Sequence, residues 1–155
     1  MKVMAAARVT KTITFSSAWQ TGKMPKSAFP LSKNNSFRLG RGWEWCVHVL
    51  EARSVEYRLL VAFHPGKSEY LAWLTVVTGN DQGVLARLEF HRSHLGWHVH
   101  LKRNSVSDVP LGVVKQSGER LIDCDDDTGP IAGKGSAEML AFKMFNVAVA
   151  EWALQ

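Results

Sequence analysis

Between Trp43 and Arg103 five strand-like runs, three alternating apolar with polar residues and two largely continuous in apolar residues, are separated only by short turn-forming stretches, and this restricts the fold more than any other feature. Trp43 to Leu50, Val55 to His64, Glu69 to Thr78, Leu85 to Arg92 and Trp97 to Arg103 each read as a strand. Their connections, such as Pro65-Gly-Lys-Ser68 and Ser93-His-Leu-Gly96, are far shorter than the dozen or so residues a parallel crossover needs. Successive strands must therefore run antiparallel as a meander. Val113 to Ile122, broken at Ser117-Gly118, reads as a sixth short strand.

The ends of the chain have a different character. Arg8 to Phe15 alternates like a first strand, whereas Ser16 to Gly42 is punctuated by glycine, proline and asparagine and reads as a long loop. Near the other end Ser136 suits a helix N-cap, and Met139 to Leu154 is apolar almost all round. Such a helix is buried, most simply across the sheet. The expected fold is α+β: an antiparallel sheet of five to six strands with a buried C-terminal helix packed on it. A chain of 155 residues suits a single domain. Residues 1–42 form a basic strand and loop, either part of that domain or a mobile arm, and 43–155 form its core.

Charge is distributed unevenly. Residues 1–42 hold Lys2, Arg8, Lys11, Lys23, Lys26, Lys33, Arg38 and Arg41 and no acidic residue, leaving eleven basic against fourteen acidic residues in the remainder. A segment of this kind docks on an anionic partner, nucleic acid first, or is simply a solvated basic arm. Lys23, Lys26, Lys33, Arg38 and Arg41 are the candidate contacts. Trp19, Phe29 and Phe37 lie among them. They would either stack bases or tack the loop to the core.

The chemistry concentrates in Glu89-Phe-His-Arg-Ser-His-Leu-Gly-Trp-His-Val-His100, which contains four of the six histidines. Suppose Arg92 pairs with Trp97 across a four-residue turn; His91 then faces His98, and Glu89 faces His100. One face carries Leu88, Phe90, Trp97, Val99 and Leu101, a core. The other carries Arg87, Glu89, His91, His98, His100 and Lys102. Three imidazoles and a carboxylate within about 5–8 Å suit a divalent metal (zinc, manganese or magnesium) or acid–base catalysis. An exposed polar hairpin face whose groups bond only to one another fits the same pattern. Carried to the preceding strand, the register sets Tyr70 beside His91 and Phe63 beyond it, and aligns Val61, Ala72, Glu89 and His100. A one-residue slip would scatter these groups.

His98-Val99-His100, with Asn104 after it and His91 before it, resembles the metal-binding motif of HUH endonucleases of the relaxase type. The likeness covers about fourteen residues. It implies a cation held by the three histidines on an antiparallel sheet and a tyrosine that attacks a DNA phosphodiester. That tyrosine would precede the histidines, so Tyr70 is the first candidate and Tyr57 the second.

Other motifs are weaker. Gly129-Pro-Ile-Ala-Gly-Lys-Gly-Ser136 lacks the spacing of a phosphate-binding P-loop, and the acidic run from Asp123 to Asp127 lacks that of an EF-hand. No apolar run is long enough to span a membrane, and Cys46 and Cys124 read as reduced thiols, which points to a cytoplasmic protein. The expected function is a small nucleic-acid-processing protein, a metal-dependent phosphodiesterase with Glu89, Tyr70 and Arg87 as catalytic groups and His91, His98 and His100 as ligands. The alternatives are a non-catalytic accessory that binds nucleic acid or protein, and a metal-free ribonuclease. Oligomeric state is not legible.

Overall fold

The computed structural model of the chain describes residues 1–32, 37, 39–91, 94–124 and 131–149. In chain order the elements are α1 (Val3–Arg8), β1 (Lys11–Ser16), β2 (Gln20–Thr21), β3 (Glu44–Ala52), β4 (Val55–His64), β5 (Glu69–Thr78), β6 (Asp81–His91), β7 (His94–Leu101), β8 (Arg120–Cys124), α2 (Lys134–Met144) and β9 (Val147–Ala148). The class is α+β, as expected, but the sheet holds nine strands among the described residues rather than five or six. Strands β3 to β7 are the antiparallel meander, and their order continues as β8-β7-β6-β5-β4-β3-β1-β9, with β2 also on β3. The additional strands are illegible in the sequence for a physical reason. Strands β2 and β9 are two residues long, too short for alternation to register, and β9 pairs parallel to β1 through a contact made only by the fold.

Both faces of the sheet are covered. One carries Leu50, Leu59, Val61, Tyr70, Leu74 and Leu88, and packs against Val3 and Ala6 of α1 and Ala137, Ala141 and Phe142 of α2. The opposite face carries Trp45, Val47, Leu60, Ala62, Leu71 and Trp73, and is covered by Met24, Phe29, Leu31 and Leu39 of the long basic loop. The loop thus lays its apolar residues on the sheet while Lys23, Lys26 and Arg41 point to solvent. Phe29 is buried and Phe37 stacks on Trp73 with ring centroids 4.3 Å apart. Trp19 packs edge-on against Phe63. These aromatics serve the core, the second of the two expectations. Lys33 and Arg38 lie outside the described residues.

The helix differs from expectation at both ends. Gly133, not Ser136, is its N-cap, and the Ser136 hydroxyl donates to the Gly133 carbonyl at 3.1 Å. It stops at Met144 because Asn146 adopts a left-handed conformation, with φ +53°, in which its Nδ2 donates to the Arg8 carbonyl at 2.8 Å. The apolar Val147 belongs to the sheet, and residues 150–154 lie outside the described residues. Among the described residues no helix is long and apolar enough to cross a membrane.

Two registers decide the site. Strand β7 pairs with β6 as Glu89↔His98, Arg87↔His100 and Phe90↔Trp97, two residues away from the expected alignment. An even shift keeps every side chain on its face, so the histidines remain with Glu89. Between β5 and β6 the turn is tighter than expected, and a bulge after Leu74 changes the pairing. Tyr70 there pairs with Phe90 rather than His91. That odd displacement sends Tyr70 to the opposite face and brings Leu71 and Trp73 in beside Glu89 and Arg87. The expected rows through Tyr70 and His91, and through Ala72 and Glu89, are therefore both overturned.

Candidate functional site

Glu89 is the centre of the cluster, only 5 % exposed, near the C-terminal end of β6. Its Oε1 accepts from Arg87 Nη1 at 2.8 Å and from the Trp73 indole Nε1 at 3.1 Å. Its Oε2 faces three imidazoles: His91 Nε2 at 2.9 Å, His100 Nε2 at 3.8 Å and His98 Nε2 at 3.9 Å. His91 lies two residues along the same strand, and His98 and His100 reach across from β7. The His91 and His98 rings are 5.5 Å apart, and those of His98 and His100 are 5.0 Å apart, edge to face. One carboxylate oxygen is thus held by structural donors and the other is presented to nitrogen ligands.

A second carboxylate enters from the loop before β8. Glu119 Oε2 accepts from Arg87 Nη2 at 2.7 Å and lies 3.6 Å from His100 Nδ1. Its Oε1 is 3.4 Å from Lys102 Nζ. Lys102 also donates to the carbonyls of Val84, Val113 and Val114. Buried Arg87 and Lys102 therefore balance buried Glu89 and half-buried Glu119. This is the condition for keeping four formal charges out of water.

These neighbours set the protonation states. Burial alone would raise the Glu89 carboxyl, but the Arg87 guanidinium and the hydrogen bond from His91 outweigh it and hold the group below the usual carboxylate range. Glu119 is likewise lowered: its burial is opposed first by the hydrogen bond from Arg87. Burial and then the Arg87 charge lower the His100 imidazole, against the pull of Glu89. A neutral imidazole beside an ionised carboxylate is the state in which both groups bind a cation.

Each residue singled out from the sequence has a definite place. Glu89, His91, His98 and His100 converge. Arg87 joins them but is 2 % exposed and committed to two carboxylates, so it positions rather than contacts a substrate. Lys102 is equally committed. Tyr70 is 1 % exposed on the helix-covered face, its hydroxyl donating to the Ala137 carbonyl at 2.9 Å, and burial pushes its phenol far up. Tyr57 is buried on that face too. Neither phenol is placed to attack anything near the histidines. Trp73 and Glu119 join the cluster without having been expected there. Trp73 reaches Glu89 only because of the β5–β6 bulge, and Glu119 is 32 residues from Arg87 in the chain; neither carries a local signal.

Comparison with protein-family models, curated proteins and solved structures finds no match to this chain. Its function has to be argued from the side chains themselves.

Proposed function

We propose that this protein is a metal-dependent phosphodiesterase acting on nucleic acid, with Glu89, His91 and His98 holding a divalent ion and His100 lying beside them. The observation that carries the reading is the divided role of the Glu89 carboxylate, tied to Arg87 and Trp73 through Oε1 while Oε2 meets three imidazole nitrogens. A donor set dominated by imidazole suits zinc better than magnesium or manganese, which favour oxygen. An ion bound there supplies Lewis-acid stabilisation of the charge that develops on phosphate. Arg87 and Trp73 fix the carboxylate, as outer-shell partners of metal ligands do, and Glu119 lies beside the neighbouring His100 ring. Because Tyr70 and Tyr57 are buried away from the cluster, the attacking group is water rather than tyrosine. Lys23, Lys26 and Arg41, exposed on the loop, contribute attraction for the polymer.

The test is metal content and phosphodiester cleavage of the wild type against a His98→Ala/His100→Ala variant. Loss of both metal and cleavage is expected; an unchanged metal content, or cleavage indifferent to the substitutions, would overturn the proposal.

A second reading, a non-catalytic module that grips an anionic polymer, is favoured by a groove of about 580 Å³ lined by Phe15, Lys23, Ser27, Trp45 and Arg58. On that reading charge reversal at Lys23, Lys26, Lys33 and Arg38 together abolishes binding and the histidines are dispensable.

A further inference from the structure

Away from Glu89, on the helix-covered side of the sheet, Cys46 and His48 lie two residues apart on β3 and project toward Glu138 of α2. Cys46 Sγ is 3.5 Å from His48 Nε2, and His48 Nε2 is 3.2 Å from Glu138 Oε2. The three ligand atoms all lie within 4.8 Å of one another. We infer that Cys46, His48 and Glu138 form a zinc site that fastens α2 to the sheet, separate from the Glu89 cluster.

Three observations carry this. The spacing is that of a tetrahedral zinc shell. With Zn–S about 2.3 Å and Zn–N and Zn–O about 2.0–2.2 Å, the S···N edge is about 3.5 Å and the N···O edge about 3.4 Å. Two of the three edges, 3.5 Å and 3.2 Å, match these values, and the third lies within 4.8 Å. The atoms of these side chains that would not bind the metal are already engaged. The Ser16 hydroxyl lies 2.7 Å from His48 Nδ1, and the Trp19 indole donates to Glu138 Oε1 at 2.6 Å. The His48 ring also packs edge-on to Phe142, with centroids 5.0 Å apart. Outer contacts of this kind orient metal ligands; without an ion His48 Nε2 hydrogen-bonds the Glu138 carboxylate, and an ion at Nε2 would shift the imidazole proton to Nδ1, toward the Ser16 hydroxyl.

The third observation is burial. Cys46 is fully buried and His48 is 2 % exposed, while the Glu138 side chain is about one-quarter exposed and supplies the entry route. Burial pushes the Cys46 thiol up, followed by the nearby Glu138 charge, so the free group is a protonated thiol and a poor nucleophile. Zinc binding releases that proton to solvent, leaving thiolate, neutral imidazole and carboxylate around the ion. A mixed sulfur, nitrogen and oxygen set selects zinc over magnesium or calcium. The link joins residues 46 and 138 and so ties the C-terminal helix to the meander.

The experiment is cobalt(II) substitution of the full chain followed by absorption spectroscopy in the near-ultraviolet charge-transfer region, where a thiolate ligand gives a band and the imidazole-and-carboxylate Glu89 cluster does not. The wild type and the His98→Ala/His100→Ala variant are expected to show a thiolate-to-cobalt charge-transfer band, and Cys46→Ser to lack it. Glu138→Gln, at a partly exposed helix position, retains the fold and is expected to weaken zinc binding by about 10–100-fold, and Ser16→Ala by a similar factor, the usual effect of losing an outer-shell partner. A folded wild type with no thiolate band, or a band that persists in Cys46→Ser, would overturn the site. Failure of the Glu89 proposal would leave the band intact, so the two outcomes are distinguishable.

Discussion

The indole of Trp73 on β5 donates to Glu89 Oε1 on β6 at 3.1 Å, and Phe37 of the basic loop stacks on the same indole at 4.3 Å. The loop that covers the sheet is thereby joined to the carboxylate at the centre of the histidine cluster through one side chain. Trp73→Phe keeps the ring and removes the donor. It is expected to cost about 1–2 kcal/mol in urea unfolding, the loss of one hydrogen bond to a charged group whose oxygen keeps its bond from Arg87. On the proposed metal reading it also lowers metal affinity by about 10–100-fold, checked by calorimetric titration.

Glu89→Ala strands Arg87, which keeps only Glu119 as a counter-charge in a site only 2 % exposed. Breaking one partner of a buried pair costs about 3–5 kcal/mol. Chemical denaturation is expected to show that loss, and the double variant Glu89→Ala/Arg87→Met is expected to recover part of it. A double variant no more stable than the single one would show that the guanidinium is not the source of the penalty.

Lys11 is fully buried, its ammonium donating to the carbonyls of Ala7 at 3.1 Å, Val9 at 2.9 Å and Phe145 at 2.8 Å. Desolvation lowers its pKa from 10.5 to about 8 in the fold. Below pH 8 the group is charged in both states and the penalty of burying it is fully felt. Between about 8 and 10.5 the unfolded chain holds more protons, so the stability of the fold rises with pH. A tenfold difference in proton affinity is worth about 1.4 kcal/mol, so the rise across that window is at most about 3 kcal/mol. Urea unfolding of wild type and Lys11→Met from pH 7 upward is expected to show it in the wild type alone.

Gly42 has φ +87°, and a Cβ there would collide with the ring of His64. Gly40, two residues away, would meet nothing within 4 Å. Gly42→Ala is expected to lower stability by about 1–3 kcal/mol, combining a left-handed backbone with the clash. Gly40→Ala is the control and is expected to stay within about 0.5 kcal/mol in thermal unfolding.

Lys23, Lys26 and Arg41 are exposed on the loop that covers the second face. Reversing all three to glutamate is expected to leave the melting temperature unchanged. If each meets a phosphate, the salt slope of single-stranded nucleic-acid binding falls by about 0.7 per residue. An unaltered slope would remove the loop from the interface.

The meander is legible because short strand-like runs, alternating or continuously apolar, joined by short turns leave few other folds for Trp43 to Arg103. The convergence of Glu89 with His98 and His100 is legible for a subtler reason. The hairpin register differs from expectation by two residues, and an even difference leaves every side chain on its own face. Tyr70 departs from its expected place because the β5–β6 turn and bulge displace the pairing by one residue, and an odd difference exchanges the faces. His48 reads as an ordinary half-buried histidine, since nothing near it in the chain announces Glu138 of α2.

Residue order alone therefore determined the class of fold, the antiparallel run of strands and which hairpin face carries the imidazoles, because alternation and turn chemistry act between near neighbours. Tertiary structure decided the rest: which oxygen of Glu89 meets the histidines, that Arg87 is shared with Glu119, and that Cys46 and His48 meet a helix some ninety residues further along the chain. Those contacts depend on single-residue bulges and on loops that close over the sheet, and neither leaves a periodic trace in the chain.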